Sequence, residues 1–515
     1  MKLILTLIFT SIFSTQVYGQ TLVYEIQSLL SNLGYSVGII DGAYGSKTRT
    51  ALENFYKDNN KEFDGEVSAN ELSDLRKLDK VSATSQANKN QSSLTQRHRS
   101  QKININTDHK VSEVALIDAK DINNDGVDDF VVGFMTDPTS QLGIECCEVP
   151  KSRLNELEKL PIYAVISGPK GYQVSKILGS NTHRTWAGKF FEINNVTYFY
   201  LGRNGEIGLP QENAGEKSVL YKILNEADQT SFEKIWEAKR PTVTSSVSVK
   251  VLGSKAYILE NNYGLDSIKK FPTSVYDSVL YLFNGLNGEL SGIELRNRLK
   301  SKAADNHLRL VDYDSDGKMD LLAASEVWKS LDGKNLETSW PGSYVVNNIA
   351  ANSSQIRLAP AAFEDNHAGM AIALIKNSEN TVIVEASTAF FGHQGGGFKG
   401  SKLMAYVVEQ GMKQTKVVGQ LNSSKGTFRD LHQFISNGEM YLVPGYYSGR
   451  PQVISLIQGA EIKVSNLSIR GYDQAGSGGA SAIIPLLMNG CISFATTKVN
   501  LKSNSVKIQT SSCLN

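Results

Sequence analysis

A turn followed by a short apolar strand recurs seven times through most of this chain. Asp125-Gly126 precedes Phe130-Val131-Val132, Asn194-Asn195 precedes Tyr198-Phe199-Tyr200, and Gly253-Ser254 precedes Tyr257-Ile258-Leu259. The unit returns at Asp316-Gly317 before Leu321-Leu322 and at Glu379-Asn380 before Val382-Ile383-Val384. It returns again at Asn437-Gly438 before Tyr441-Leu442-Val443 and at Asn489-Gly490 before Ile492-Ser493-Phe494. The interval is about 60 residues, somewhat above common propeller periods. Asn, Asp and Gly suit tight turns, whereas Val, Ile, Tyr and Phe suit strands. Short strands at regular intervals carry edges that must be hidden, and closure into a ring hides them. The expected fold over 104–515 is therefore mainly β, a seven-bladed β-propeller, with a pair of β-sandwiches as the alternative.

Two of the seven turns are acidic. One reads Asp121-Ile122-Asn123-Asn124-Asp125-Gly126-Val127-Asp128-Asp129 and the other Asp312-Tyr313-Asp314-Ser315-Asp316-Gly317-Lys318-Met319-Asp320. Side-chain oxygens at positions 1, 3, 5 and 9, glycine at 6 and a carbonyl at 7 curl a loop around a hard cation. An EF-hand needs a bidentate glutamate at position 12 and flanking helices. Position 12 is Val132 or Ala323, and the flanks read as strands. The loops resemble those of the FG-GAP/VCBS repeat family, whose propeller blades carry D-x-[DN]-x-D-G-x-x-D between strands. The resemblance implies calcium in a structural role. Its ligands would be Asp121, Asn123, Asp125, the Val127 carbonyl and Asp129, then Asp312, Asp314, Asp316, the Lys318 carbonyl and Asp320.

The N-terminus reads as an export signal over 1–19. Lys2 supplies the positive end, Leu3 to Phe13 the apolar run, and Val17-Tyr18-Gly19 a cut ahead of Gln20. The run is too short to span a bilayer, and no later stretch is long enough, so the mature chain is expected to be periplasmic or extracellular without a transmembrane anchor. Lys+Arg 53 against Asp+Glu 52 gives no basic field, which argues against a nucleic-acid partner. Four cysteines make no disulfide scaffold. Cys491 and Cys513 could tie the last strands together; Cys146-Cys147 could be a vicinal disulfide or two thiols.

Residues 20–80 read as helical. Val23, Ile26, Leu30 and Leu33 keep helical spacing, Ser46 can cap a second helix that turns Ala51, Leu52 and Phe55 inward, and Ser68 with Glu71 forms a capping-box pattern. Between the first two helices, two glycines make a tight turn that presents Tyr44. The segment resembles the three-helix peptidoglycan-binding domain family. It carries Gln27, Leu33-Gly34-Tyr35, the turn Asp41-Gly42-Ala43-Tyr44-Gly45-Ser46-Lys47-Thr48, and Asp64-Gly65, but Phe55-Tyr56 stands where the family usually has Phe-Gln. The resemblance implies peptidoglycan as partner and Asp41, Gly42, Tyr44, Gly45, Thr48 and Arg49 as its contacts. Residues 81–103 are polar and nearly free of large apolar side chains, the composition of a flexible linker.

No hydrolase, metalloprotease or phosphate-loop motif appears, so no catalytic residue is assigned. His183, His307, His367, His393 and His432 could meet across a propeller channel. Trp186, Trp236, Trp328 and Trp340 default to core packing, and Tyr446-Tyr447 is the better exposed aromatic pair. The expected function is an exported cell-envelope protein anchored to peptidoglycan, whose calcium-stabilised propeller meets a protein or glycan. The alternative is a peptidoglycan or polysaccharide hydrolase or lyase with its site in the channel.

Overall fold

The computed structural model divides the chain into two compact units, 1–97 and 98–515. It describes scattered positions of 23–37, nearly all of 44–75, and the strands and most turns of 100–512. Left out are 1–22, 76–99, 513–515 and the longer interstrand segments, chiefly 143–150, 205–215, 263–277, 295–304, 328–342, 359–366, 391–397, 422–427 and 468–481. The expected export signal, Asp41, Gly42, Cys146, Cys147 and Cys513 lie outside the described residues. No helix among the described residues is long and apolar enough to cross a membrane.

In the first unit the helix Ser46–Asp58 buries Thr48, Ala51, Leu52, Phe55 and Tyr56. That spacing keeps one stripe facing inward. Ile26 and Leu30 meet it from the first helical segment, and Leu75 from the last. The cap is Gly45 rather than Ser46: Gly45 is extended at φ −105 and ψ 178, while Ser46 is already helical and no side chain caps the helix. The capping box forms as read. The Ser68 N–H donates to Glu71 Oε2 at 2.6 Å, and the Asn70 N–H donates to Ser68 Oγ at 3.1 Å.

Residues 98–515 form a seven-bladed propeller of four-stranded antiparallel blades. Blades 1 to 6 begin with Val111–Lys120, Arg184–Ile193, Thr244–Leu252, Asp305–Val311, His367–Lys376 and Phe428–Ser436. Blade 7 takes Ala482–Met488, Cys491–Lys498 and Ser505–Thr510 from the end of the chain, and its outer strand, Lys102–Asn106, from the start. The first strands of successive blades lie side by side around the ring, and the seventh meets the first. Blades 4 and 5 are also joined where Glu326 and Val327 pair with Ala368 and His367.

The closing strand pairs Ile103 with Ile508 and Ile105 with Val506. It starts inside the segment read from composition as a linker. Alternation of Lys102, Asn104 and Asn106 with two buried isoleucines suits an outer strand that covers one face, yet it reads as polar overall. Ser100 and Gln101 already bind Gln509 and Thr510, so the propeller begins by residue 100 rather than 104.

All seven turns found by repetition fall between the first and second strands of a blade. The second strands are buried on both sides. In Asp129–Thr136, Phe130 and Val132 pack toward blade 7, and Val131 toward blade 2. Period-2 alternation with two buried faces explains their unbroken apolar runs.

Candidate functional site

Three places among the described residues gather candidate site chemistry. In the helical unit, Tyr44 is 40% exposed, and its hydroxyl donates to the Gly65 carbonyl at 3.2 Å. Arg49 is exposed beside it, with Nε on Glu53 Oε1 at 2.9 Å. Gly45 has open space around its Cβ position. Thr48 differs. It is 2% exposed, and its hydroxyl accepts from Gln27 Nε2 at 3.0 Å. Thr48 and Gln27 therefore hold the helices together, leaving Tyr44, Gly45 and Arg49 as the expected contacts that are exposed on the turn.

The two acidic loops are wired alike. Asp121 Oδ2 accepts from the Gly126 N–H at 2.8 Å, as Asp312 Oδ2 does from Gly317 at 3.1 Å. Asp129 accepts from the Ile122 and Ser167 N–H groups, and Asp320 from those of Tyr313 and Asn348. Positive φ falls at Asn124 and Gly126 in one and at Ser315 and Gly317 in the other. Gly126 is doubly constrained, because a Cβ there would strike the Asn489 side chain.

Their electrostatics diverge. In the second loop one oxygen from each of Asp312, Asp314, Asp316 and Asp320 lies within 4.8 Å of the others. Ligands about 2.4 Å from one ion cannot stand farther apart than that diameter, so the spacing fits calcium. Asp312 Oδ1 is buried with no hydrogen-bond partner, an oxygen that a cation would satisfy. Burial also raises the Asp320 pKa. Lys318 Nζ sits on Asp316 Oδ2 at 2.6 Å, a weak exposed pair that a divalent ion would displace.

The first loop replaces the second acid with Asn123, whose Nδ2 donates to the Ser167 carbonyl at 2.8 Å. Its acids do not close to the spacing of the second loop. The Val127 carbonyl accepts from Ser167 Oγ at 3.3 Å. This loop instead clasps blade 7: the Asp128 N–H donates to Leu487, the Leu487 N–H to Asp128 Oδ2, and the Asn489 N–H to Gly126. Burial raises Asp129 to about 7 and Asp128 to about 6.

The channel holds a network that crosses the ring. Lys189 Nζ of blade 2 lies 3.1 Å from Asp118 Oδ1 of blade 1 and 3.4 Å from Asp430 Oδ2 of blade 6. Asp430 Oδ1 also accepts from Arg309 Nη2 and lies 3.1 Å from His307 Nε2, both of blade 4. His432 Nδ1 is 3.9 Å from Asp430 Oδ2. Burial opposes ionisation of Asp430, but Arg309 and Lys189 hold its pKa well below the ordinary value. Burial would lower Lys189, yet Asp118 and Asp430 raise it. Burial raises Asp118 against the pull of Lys189, lowers His307, and pushes His432 down to about 4, leaving both imidazoles neutral near pH 7.

Of the five histidines read as channel candidates, His307 and His432 share one carboxylate. His183 and His393 lie outside the described residues, as does the side chain of His367. Sequence reading missed Asp118, Lys189, Arg309 and Asp430. Three network residues, Asp118, His307 and Asp430, follow register shifts in their first strands. Such bulges re-aim a side chain, and they have no reliable signature in one sequence. Trp236 packs on Tyr200 and Tyr281. Trp328, Trp340 and Tyr447 lie outside the described residues, as do the side chains of Trp186 and Tyr446. Cys491 is disulfide-bonded.

Among solved structures, a Trypanosoma rangeli sialidase in complex with 2,3-difluorosialic acid is similar at 10% identity and TM-score 0.39, over 67% of this chain and 56% of that one. AofleA from Arthrobotrys oligospora is similar at 10% identity and TM-score 0.34, over 72% and 90%. An alpha-L-arabinofuranosidase (CtGH43) from Clostridium thermocellum is similar at 11% identity and TM-score 0.34, over 56% and 96%. Likeness at this level carries no inference about activity. No curated protein matches the chain. Residues 19–73 match the family model described as "Putative peptidoglycan binding domain".

Proposed function

We propose that this is an exported cell-envelope protein whose helical unit holds peptidoglycan and whose propeller, braced by calcium at the Asp312–Asp320 loop, presents a binding surface to a protein or glycan. The family match over 19–73 carries the reading, together with Tyr44 and Arg49 exposed on its turn. The acid loops agree with the FG-GAP/VCBS resemblance in sequence and in lying between first and second strands.

The full chain is expected to co-sediment with purified sacculi, and Tyr44→Ala combined with Arg49→Ala should reduce the bound fraction several-fold without lowering the Tm. Equal pelleting of the variant, or no pelleting of the parent, contradicts the anchoring role.

Calcium at one hundred times its Kd should stabilise the propeller by about 2.7 kcal/mol. Chelation should lower the Tm, and Asp312→Ala should remove the calcium-dependent part. A melting curve indifferent to chelator contradicts the metal reading.

A further inference from the structure

A cavity of about 460 Å³ opens beside the channel network, between the first strands of blades 1, 2, 6 and 7. It lies toward the ends of those strands that lead into the first-to-second-strand turns. Its volume is that of a small-ligand site, within the usual range of about 300–1,000 Å³. Part of its lining is charged: Asp118 and Lys189, together with Asp128 from the acidic loop of blade 1. Its walls are apolar. Phe434 stands fixed by stacking on Tyr441 at 5.2 Å and 13°, and the mouth is flanked by Ile435 and Leu487, 61% and 46% exposed.

The charge balance selects the ligand. Among the described residues, the lining holds two carboxylates, Asp118 and Asp128, against one ammonium, Lys189, which already bridges Asp118 and Asp430, and the buried imidazole of His432, which is neutral near pH 7. Arg309, the nearby guanidinium that could meet an acid group, is bound to Asp430 and to the Leu431 carbonyl. The pocket therefore offers acceptors, and its surplus suits donors. Hydroxyl or ammonium groups can donate to Asp118 and Asp128, while a ligand carboxylate would meet uncompensated negative charge. An apolar wall beside directed acceptors matches a pyranose, which has C–H faces and an equatorial rim of donors.

We infer that this cavity is a saccharide-binding site for neutral or amino sugars and that it rejects acidic sugars. The site is in the propeller and does not depend on the helical unit holding peptidoglycan.

The test is binding of the full-length chain to a printed array of neutral, amino and acidic glycans, followed by titration of the best ligand. A neutral or amino glycan is expected to bind, with uronic and sialic glycans at background. Asp118→Asn should weaken binding tenfold or more. Ile435→Arg, at an exposed position, should do the same with an unchanged Tm, which separates loss of the site from loss of the fold. Preference for acidic glycans, absence of any neutral or amino ligand, or affinity unaffected by both variants overturns the inference. Co-sedimentation of both variants with sacculi should match the parent, so failure of this site and failure of the wall anchor read out separately.

Discussion

Asp430→Ala is expected to destabilise the propeller by about 3–5 kcal/mol, the usual cost of removing one member of a buried ion pair. Asp430 meets Arg309, His307 and Lys189 inside the channel, and its side chain is 16% exposed. Removal leaves two cations facing one remaining carboxylate, Asp118. Because the Asp430 pKa is depressed on folding, its contribution is present above the ordinary carboxylate value and lost only as pH falls through the depressed one. The defect should therefore be seen across the neutral range. Arg309→Met in the Asp430→Ala background should recover part of the loss, because Arg309 is left with no carboxylate while Lys189 keeps Asp118; the two changes will not add. Chemical denaturation of the parent, both single variants and the double variant measures this. Additive losses, or a single-variant loss below about 1 kcal/mol, would mean that the network does not couple the blades.

Glu385 is expected to produce an opposite pH response. It sits in the second strand of blade 5, 1% exposed, and Oε1 accepts from Ser343 Oγ at 2.7 Å and Ser387 Oγ at 2.9 Å. Tyr406 donates to Oε2 at 3.3 Å. Burial raises Glu385 to about 7, and these hydroxyl bonds only partly offset it. The folded carboxyl thus holds its proton where the unfolded one, near the ordinary 4.5, has lost it. Stability is fully present below about 4.5 and falls by about 3 kcal/mol as pH rises to about 7, then levels. Glu385→Gln imitates the protonated acid and should raise stability at pH 8 by a similar amount while changing little at pH 4.5. Equal effects at the two pH values would assign the change to packing rather than ionisation.

The fold was largely legible because its repeat is written in local chemistry. Asn194, Asn195 and Asn489 adopt positive φ, as Asn can, and each leads into a strand apolar enough to read unaided. The acidic loops were legible for the same reason, since their oxygen-bearing side chains are contiguous in sequence. What the spacing could not convey is that substituting Asn123 and clasping Leu487 turns one of the two into a seam between blades rather than a tight carboxylate cluster. The channel network was invisible because Asp118, Lys189, Arg309 and Asp430 stand in four different strands, and only ring closure brings them together. Thr48 shows the converse limit: a motif residue expected to meet the polymer is held in the helical core by Gln27. The closing strand escaped because two isoleucines among polar neighbours resemble a tether until a partner edge is supplied.

That strand has a mechanical consequence. Lys102–Asn106, with Ser100 and Gln101 just ahead of it, is the first piece of the propeller that tension on residues 1–97 would reach, since every pull from that side travels along the backbone into it. The ring is thus shut by the segment most exposed to load. Its hydrogen bonds to Ser505–Thr510, and not the broader contacts between blades, would bear such a force first.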